Sequence, residues 1–312
     1  MRLMDFVTSE EMARFTRGSN PKAAAAVAFN WTCIAAIFCG VALWIHPLTI
    51  LAGIVLLGGR HLAFAALMHD CGHGTLFTKK EANNVVGQWL CAYPILSDLH
   101  RYARGHQKHH AFAGTEKDPD LSNYRAYPIT RASFRRKIVR DLTGQTGWKA
   151  LRATWRRGQA ELGHAPWNGN ALAGHVLVNS AMFGALYLAG HPLLYLMWPA
   201  AYLTSYMLIA RMRQVAEHGA VPDLFDRDPR ENTRTTYVRW WEKPFLAPFN
   251  LNYHLEHHFH AGVPCYNLKA FHRLLKEKGI YEKTEFPNGY GELFRRVLLP
   301  DPHGESPVEA RS

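Results

Sequence analysis

Eight of the chain's 18 histidines fall into three short segments: His69-Asp-Cys-Gly-His73, His106-Gln-Lys-His109-His110 and His254-Leu-Glu-His257-His258. In the first segment the two histidines are four apart; in the other two, the later pair stands three and four positions after the first. On a helix those intervals share one face, so each segment can aim its imidazoles at a common point. Imidazole is the usual nitrogen ligand of iron, zinc and copper. One such segment alone is as often structural as functional; three together read as a metal constellation. Eight ligands exceed the three or four that a tetrahedral zinc takes, and two metals with an open edge each account for the number. The same helical faces carry no carboxylates, unlike soluble bundle di-iron sites, which use Glu and Glu-x-x-His. Neutral ligands leave a metal pair electron-poor, which favours low oxidation states at rest and a strong oxidant on activation. That suits removal of hydrogen from an unactivated C–H bond. Asp70, Asp118, Glu217 and Glu256 lie close in sequence and read either as acceptors for the imidazoles' second N–H or as members of ordinary ion pairs.

Four apolar runs are long enough to position these segments at a membrane. Residues 24–45 carry no charge over 22 residues, enough to cross a hydrocarbon core of roughly 30 Å. The second run, 48–68, is interrupted by Arg60 and His61, which predicts that the helix leaves the lipid near Arg60 and continues into the cytosol, since charges inside a span are costly. Runs 171–190 and 192–210 are the third and fourth. From Arg101 to Arg157 basic residues outnumber acidic ones more than three to one, whereas the turns at 46–48 and 190–192 carry no Lys, Arg, Asp or Glu. The positive-inside rule then makes the basic segment cytosolic and the turns external. The expected fold is an all-α integral membrane protein with four transmembrane helices in two hairpins and a cytosolic helical cap holding the metal site. As a single domain over 1–312, it has a cytosolic segment at about 1–22, membrane helices within about 24–210 with a cytosolic insert at 69–168, a cap at about 211–299, and a disordered polar tail at 300–312. Both termini are expected in the cytosol.

The 36 basic and 25 acidic residues give a net charge of +11, with 48% of the chain apolar. Such a charge suits nucleic acid, anionic lipid or an acidic protein; the apolar runs decide for the membrane and against nucleic acid. The basic segment reads as topology plus anionic-lipid contact, or as a dock for an acidic electron carrier. Five scattered cysteines with no CxxC spacing argue against a disulfide framework or a thiolate zinc site. Residues 1–19 lack the pattern of a signal peptide.

With their flanks, HDCGHG (69–74), GHQKHH (105–110) and NYHLEHH (252–258), the three segments resemble the histidine boxes of the integral-membrane fatty acid desaturase and hydroxylase family. NTRT (232–235) and VPCYNL (263–268) add to the likeness, which spans roughly residues 48–275. The resemblance implies two iron ions, dioxygen as co-substrate, a lipid or acyl substrate taken from the membrane, and an external electron donor such as a ferredoxin with its reductase; the HPGG pattern of a fused haem module is absent. It also implies a ninth ligand, and His218 fits its place. Gln214, one helical turn earlier, stands where the family can hold a metal-linked water through an amide, but in desaturases of known architecture that residue is an Asn.

The expected function is therefore an oxygen-dependent fatty acyl desaturase, in a bacterial inner membrane, with the metal site on the cytosolic side. A hydroxylase, ketolase or alkene-forming oxidase of the same site type remains open, as does, more distantly, a membrane zinc hydrolase, although HExxH is missing. A lipid-binding protein with a relic site is the non-enzymatic alternative. An apolar tunnel is expected between cap and helices; Trp240, Trp241, Phe245 and Phe249 are candidates for lining it or for anchoring at the membrane interface.

Overall fold

The computed structural model describes residues 3–161 and 171–300. The expected tail beyond Pro300 and the end of the insert, 162–168, lie outside the described residues. Helices dominate, and the only strands among the described residues are β1 (Ile129–Thr130) and β2 (Leu298–Leu299), paired in parallel. The principal helices are α1 (Asn20–Leu43), α2 (Pro47–His73), α3 (Leu99–Phe112), α4 (Arg131–Leu142), α5 (Gln145–Glu161), α6 (Ala171–Leu188), α7 (Met197–Leu203), α8 (Ser205–His218), α9 (His254–Phe259) and α10 (Cys265–Glu277).

Four stretches are long and apolar enough to cross a membrane: α1, α2, α6 and Pro192–His218, the last containing α7 and α8. Only 17% of the apolar window of α6 is buried within the protein, so most of that helix has no protein to cover it. An uncovered apolar surface of that extent belongs in lipid.

α2 is one continuous helix from Pro47 to His73, with Arg60 and His61 both buried inside it. Pro47 opens it, where a missing N–H costs nothing. Gly74, with φ +73°, closes it directly after the first histidine segment, a conformation glycine adopts without strain. The fourth stretch is less regular than the sequence suggests. It starts as a 3₁₀ turn over Pro192–Leu196 and breaks at Thr204 (φ −121°, ψ −87°) before α8. At that break α8 leans on α2. A Cβ on Gly58 would lie 2.3 Å from Ser205 Oγ, and the Ser205 hydroxyl donates to the Ile54 carbonyl at 2.8 Å.

α2 and α8 both run toward the histidines. At 1.5 Å per residue, His69 stands roughly 33 Å along α2 from Pro47, so the two turns that precede these stretches lie far from the histidine clusters. α3 is capped at its start by Asp98, whose Oδ1 accepts from the Arg101 N–H at 2.7 Å. A π-helical turn over Gly87–Ala92 brings Gln88 against the same end: its amide nitrogen donates to Asp98 Oδ2 and its oxygen accepts from the Leu99 N–H. The second histidine segment is thus fixed from its N-terminus.

Candidate metal centre

Four elements deliver nine imidazoles to one place. His69 and His73 stand on the last turn of α2, His106, His109 and His110 on the end of α3, His218 at the end of α8, and His254, His257 and His258 on the six-residue α9. They sort into two groups. His69, His73, His106, His110 and His257 hold their ligand atoms within 4.8 Å of one another, and so do His109, His218, His254 and His258. The segments are interleaved: the second and third each contribute to both groups. His218 joins the second group, where its Nε2 lies 2.9 Å from that of His254.

The donor geometry fits metal ions. Nε2 pairs face each other at 2.9 Å for His69–His257 and His110–His257, 3.0 Å for His106–His110, 3.1 Å for His254–His258 and 3.3 Å for His109–His258. Two nitrogens at right angles, each about 2.1 Å from one ion, stand about 3.0 Å apart. The other ring nitrogens fix the tautomers. His218 Nδ1 donates to the Asn232 carbonyl at 3.0 Å and His109 Nδ1 to Asp118 Oδ1 at 2.9 Å. His69 Nδ1 donates to Asp70 Oδ1 at 3.1 Å, and His254 Nδ1 lies 3.5 Å from Glu217 Oε1. A neutral imidazole that donates from Nδ1 has a bare Nε2. His218 therefore points the lone pair of its Nε2 at the His254 Nε2 2.9 Å away, an arrangement that a cation held by both rings would satisfy. His73 Nε2 is buried with no hydrogen-bond partner, a further atom in want of a metal. Burial and the surrounding imidazoles keep five of the rings neutral: His110 is pushed down to about 2, and His106, His254, His257 and His258 also fall well below the usual value.

The four carboxylates take distinct positions. Asp70, beside His69, also accepts the Cys265 N–H on Oδ2 at 2.7 Å, tying the first histidine segment to VPCYNL. Asp118 holds His109 on one side and takes the Tyr124 hydroxyl on the other. Burial pushes its carboxyl up, but the bonds from His109 and Tyr124 bring it below the ordinary value. Glu217 pairs with Arg213 at 2.6 Å and faces His254. Glu256 touches none of the nine rings. It is wholly buried and receives Thr235, Tyr281 and His272 Nδ1, the last at 2.6 Å; it anchors α9 rather than an imidazole. Sequence reasoning missed Tyr124, Arg213 and His272, none of which lies within a histidine segment. The role of Asn232 and Thr235 was signalled only by the NTRT likeness.

The open face of the centre looks into a cavity of about 260 Å³ walled by His106, His109, His218 and His254. Gln214 lines it too, but it hydrogen-bonds none of the nine imidazoles. Through Arg101, Tyr102, Asn123 and Gln214 this space shares its wall with a larger one of about 590 Å³ between α3, α5, α6 and α8. That in turn shares Leu96, Thr154, Leu172, His175 and Tyr202 with an apolar cavity of about 240 Å³ at the level of α6 and α7. The path is polar beside the histidines and apolar at its far end. Trp240, Phe245 and Phe249 do not line it; they border a separate groove against α1 and α2, and Trp241 is half-exposed.

Comparison with known proteins places the chain in a family. The family model for fatty acid desaturases matches residues 44–286, which contain all nine histidines. The dihydrorhizobitoxine desaturase of Bradyrhizobium elkanii is 26% identical over 294 residues, covering 88% of this chain and 78% of its own. The sn-1 oleoyl-lipid 12-desaturase of Synechocystis sp. is 24% identical, covering 79% of this chain and 72% of its own. A probable fatty acid desaturase of Sorghum bicolor is 39% identical over a shorter stretch of 79 residues, 25% of this chain and 19% of its own. With the histidine segments, the apolar helices and these relatives in agreement, the chain belongs to the fatty acid desaturase family.

Proposed function

We propose that this protein is a membrane-bound, oxygen-dependent di-iron desaturase that introduces a double bond into the acyl chain of a lipid. The observation that carries the reading is the convergence of nine imidazoles in groups of five and four, with Nε2 atoms 2.9–3.3 Å apart and an open side on a cavity. His69, His73, His106, His110 and His257 would hold one iron; His109, His218, His254 and His258 would hold the other. When bound, such an iron pair would supply dioxygen-dependent oxidation of two adjacent methylenes, the oxygen ending as water with two electrons from a separate donor and two hydrogens from the chain.

The chain's own residues set what reaches that centre. Asp70, Asp118, Glu217 and the Asn232 carbonyl orient their rings and keep Nε2 bare. Gln214 faces the open side of the four-histidine group, where its amide can hold a water. The apolar cavity beside Trp155, Val176 and Trp198 takes the hydrocarbon, and the polar reach through Asn123 and Gln214 meets the more hydrophilic part of the substrate. In this reading the whole chain is one domain, two helical hairpins hang from the cytosolic side of a bacterial inner membrane, and the remaining helices form a cytosolic cap. A ferredoxin-type carrier brings the electrons.

A second substrate class has its own support. The polar wall next to the histidines, with Arg101, Asn123 and Arg211, accommodates a substrate richer in polar groups than a lipid acyl chain. One relative is named for desaturating dihydrorhizobitoxine, the other for an oleoyl lipid.

Both readings are tested by lipid and small-molecule profiling of cells expressing the chain or its His109→Ala variant. Products lighter by two hydrogens that vanish in the variant support desaturation. Products heavier by one oxygen would instead make the enzyme a hydroxylase. Turnover retained in the variant would refute the metal assignment.

A further inference from the structure

Against α1 and α2, sharing no wall residue with the path to the histidines, lies a groove of about 700 Å³. Its walls are mainly apolar: Phe29 and Ile37 from α1, Leu56 from α2, and Phe245 and Phe249 from the segment before α9. Phe29 and Leu56 are exposed, so the groove opens on the face that these helices turn to lipid. Arg60 forms part of its wall and is only 7% exposed. Its guanidinium has neutral partners: Nη1 donates to Asn30 Oδ1 at 3.3 Å, and Nη2 to the Pro244 carbonyl.

No carboxylate compensates this charge. Among the described residues, none pairs with Arg60, and none lines the groove. The acid next in sequence to the rim, Glu242, is engaged elsewhere: it accepts the N–H groups of Arg239 and Tyr290, each at 2.9 Å. A second cation, Lys243, stands exposed at the rim together with Trp240, which is 82% exposed. A buried guanidinium served only by neutral dipoles is costly in a region facing lipid. Two cations and an aromatic side chain above an apolar trough match an anionic headgroup above a hydrocarbon chain.

We propose that this groove is a binding site for an anionic glycerophospholipid, with its phosphate at Arg60 and Lys243 and one acyl chain along Phe29, Ile37 and Leu56. This site is distinct from the substrate path. Arg60 stands nine residues before His69, about 13 Å along α2, and the groove shares no wall residue with the cavity at the histidines. A lipid seated there would also buttress Phe249 and Asn250. Asn250 in turn donates to the Cys265 carbonyl at 3.0 Å, the residue whose N–H holds Asp70.

The test is native mass spectrometry of the iron-loaded protein, released from mild detergent after exposure to equal amounts of phosphatidylglycerol and phosphatidylcholine of identical chains. The wild type should retain one phosphatidylglycerol in preference to phosphatidylcholine by about fivefold or more. Arg60→Gln keeps hydrogen-bonding capacity and loses the charge, so its preference should fall to near unity. Ala36→Trp, at an exposed position on the groove wall, should displace both lipids. Lack of preference in the wild type would overturn the proposal, as would a folded Arg60→Gln protein that keeps it. If circular dichroism shows that Arg60→Gln does not fold, Ala36→Trp decides alone, and wild-type retention in that variant would overturn the site.

Discussion

Replacing Asp118 with Asn should impair one metal position and spare the other. Asp118 and His109 are both almost fully buried, with 2% and 3% of their side chains exposed, and their contact is 2.9 Å. The carboxylate also receives the Tyr124 hydroxyl and the Asp120 N–H, the latter at 2.9 Å, so little in the site can move to replace it. Asn preserves shape and one acceptor oxygen, but it removes the charge and turns an NH₂ toward a neighbour that now donates. A hydrogen bond to a charged group is worth about 1.5–3 kcal/mol, which is about 10- to 150-fold in an equilibrium constant. Loss of a partner behind a ligating imidazole costs a comparable 10- to 100-fold in metal affinity or activity. His109 belongs to the four-histidine group, and none of the five histidines of the other group is bonded to Asp118. At limiting iron the variant should therefore retain about one iron per chain where two are expected of the wild type, with desaturation down by one to two orders of magnitude. Iron is counted by a colorimetric chelator assay on protein of verified fold, and turnover by gas chromatography of product methyl esters. Tyr124→Phe, which removes only the hydroxyl donor, should show a smaller loss. Two irons and activity within twofold of wild type in Asp118→Asn would refute the reasoning, as would equal loss from both positions in a folded protein.

His257→Ala removes the nitrogen that stands 2.9 Å from both His69 and His110; activity should fall below detection, with iron lost mainly from the five-histidine position, as iron counting would show. Gly58→Val would drive side-chain atoms into Ser205, whose Oγ lies 2.3 Å from where a Cβ would stand. α8 and His218 should then shift relative to α2, lowering iron content and thermal stability together, whereas a wild-type melting temperature would count against this close approach. In iron-free protein, His106, His110, His254, His257 and His258 stay neutral in the fold because burial and neighbouring imidazoles depress them, His110 to about 2. The unfolded chain takes up those protons near pH 6.5, so it binds more protons below that point and stability falls as the pH drops. The melting temperature should decline steadily from pH 7 to pH 5, and a rise over that window would contradict the assignment.

The sequence alone determined the kind of chemistry. Spacings of three and four fix which side chains share a helical face, so the eight box histidines could be read as ligands without coordinates, and apolar runs of 20 residues or so announced four membrane stretches. The ninth histidine, His218, came from likeness to a family, because nothing local distinguishes it from a histidine at a helix end. Spacing could not say which rings share a metal. His257 meets His69 across 188 residues and His110 across 147, and such pairs depend on how α2, α3 and α9 pack. The same limit hid the partners behind the rings. Asp70 is adjacent to its histidine, whereas Asp118 reaches His109 from a loop nine residues on, and Glu256 turns from its own segment to His272. Arg60, read from the sequence as the point where an otherwise continuous helix leaves the lipid, lies buried against Asn30 and Pro244, partners 30 and 184 residues away that no local pattern announces. Helical periodicity sets the direction of a side chain about its own axis; what waits in that direction is set by packing between distant segments, and only the tertiary structure contains it.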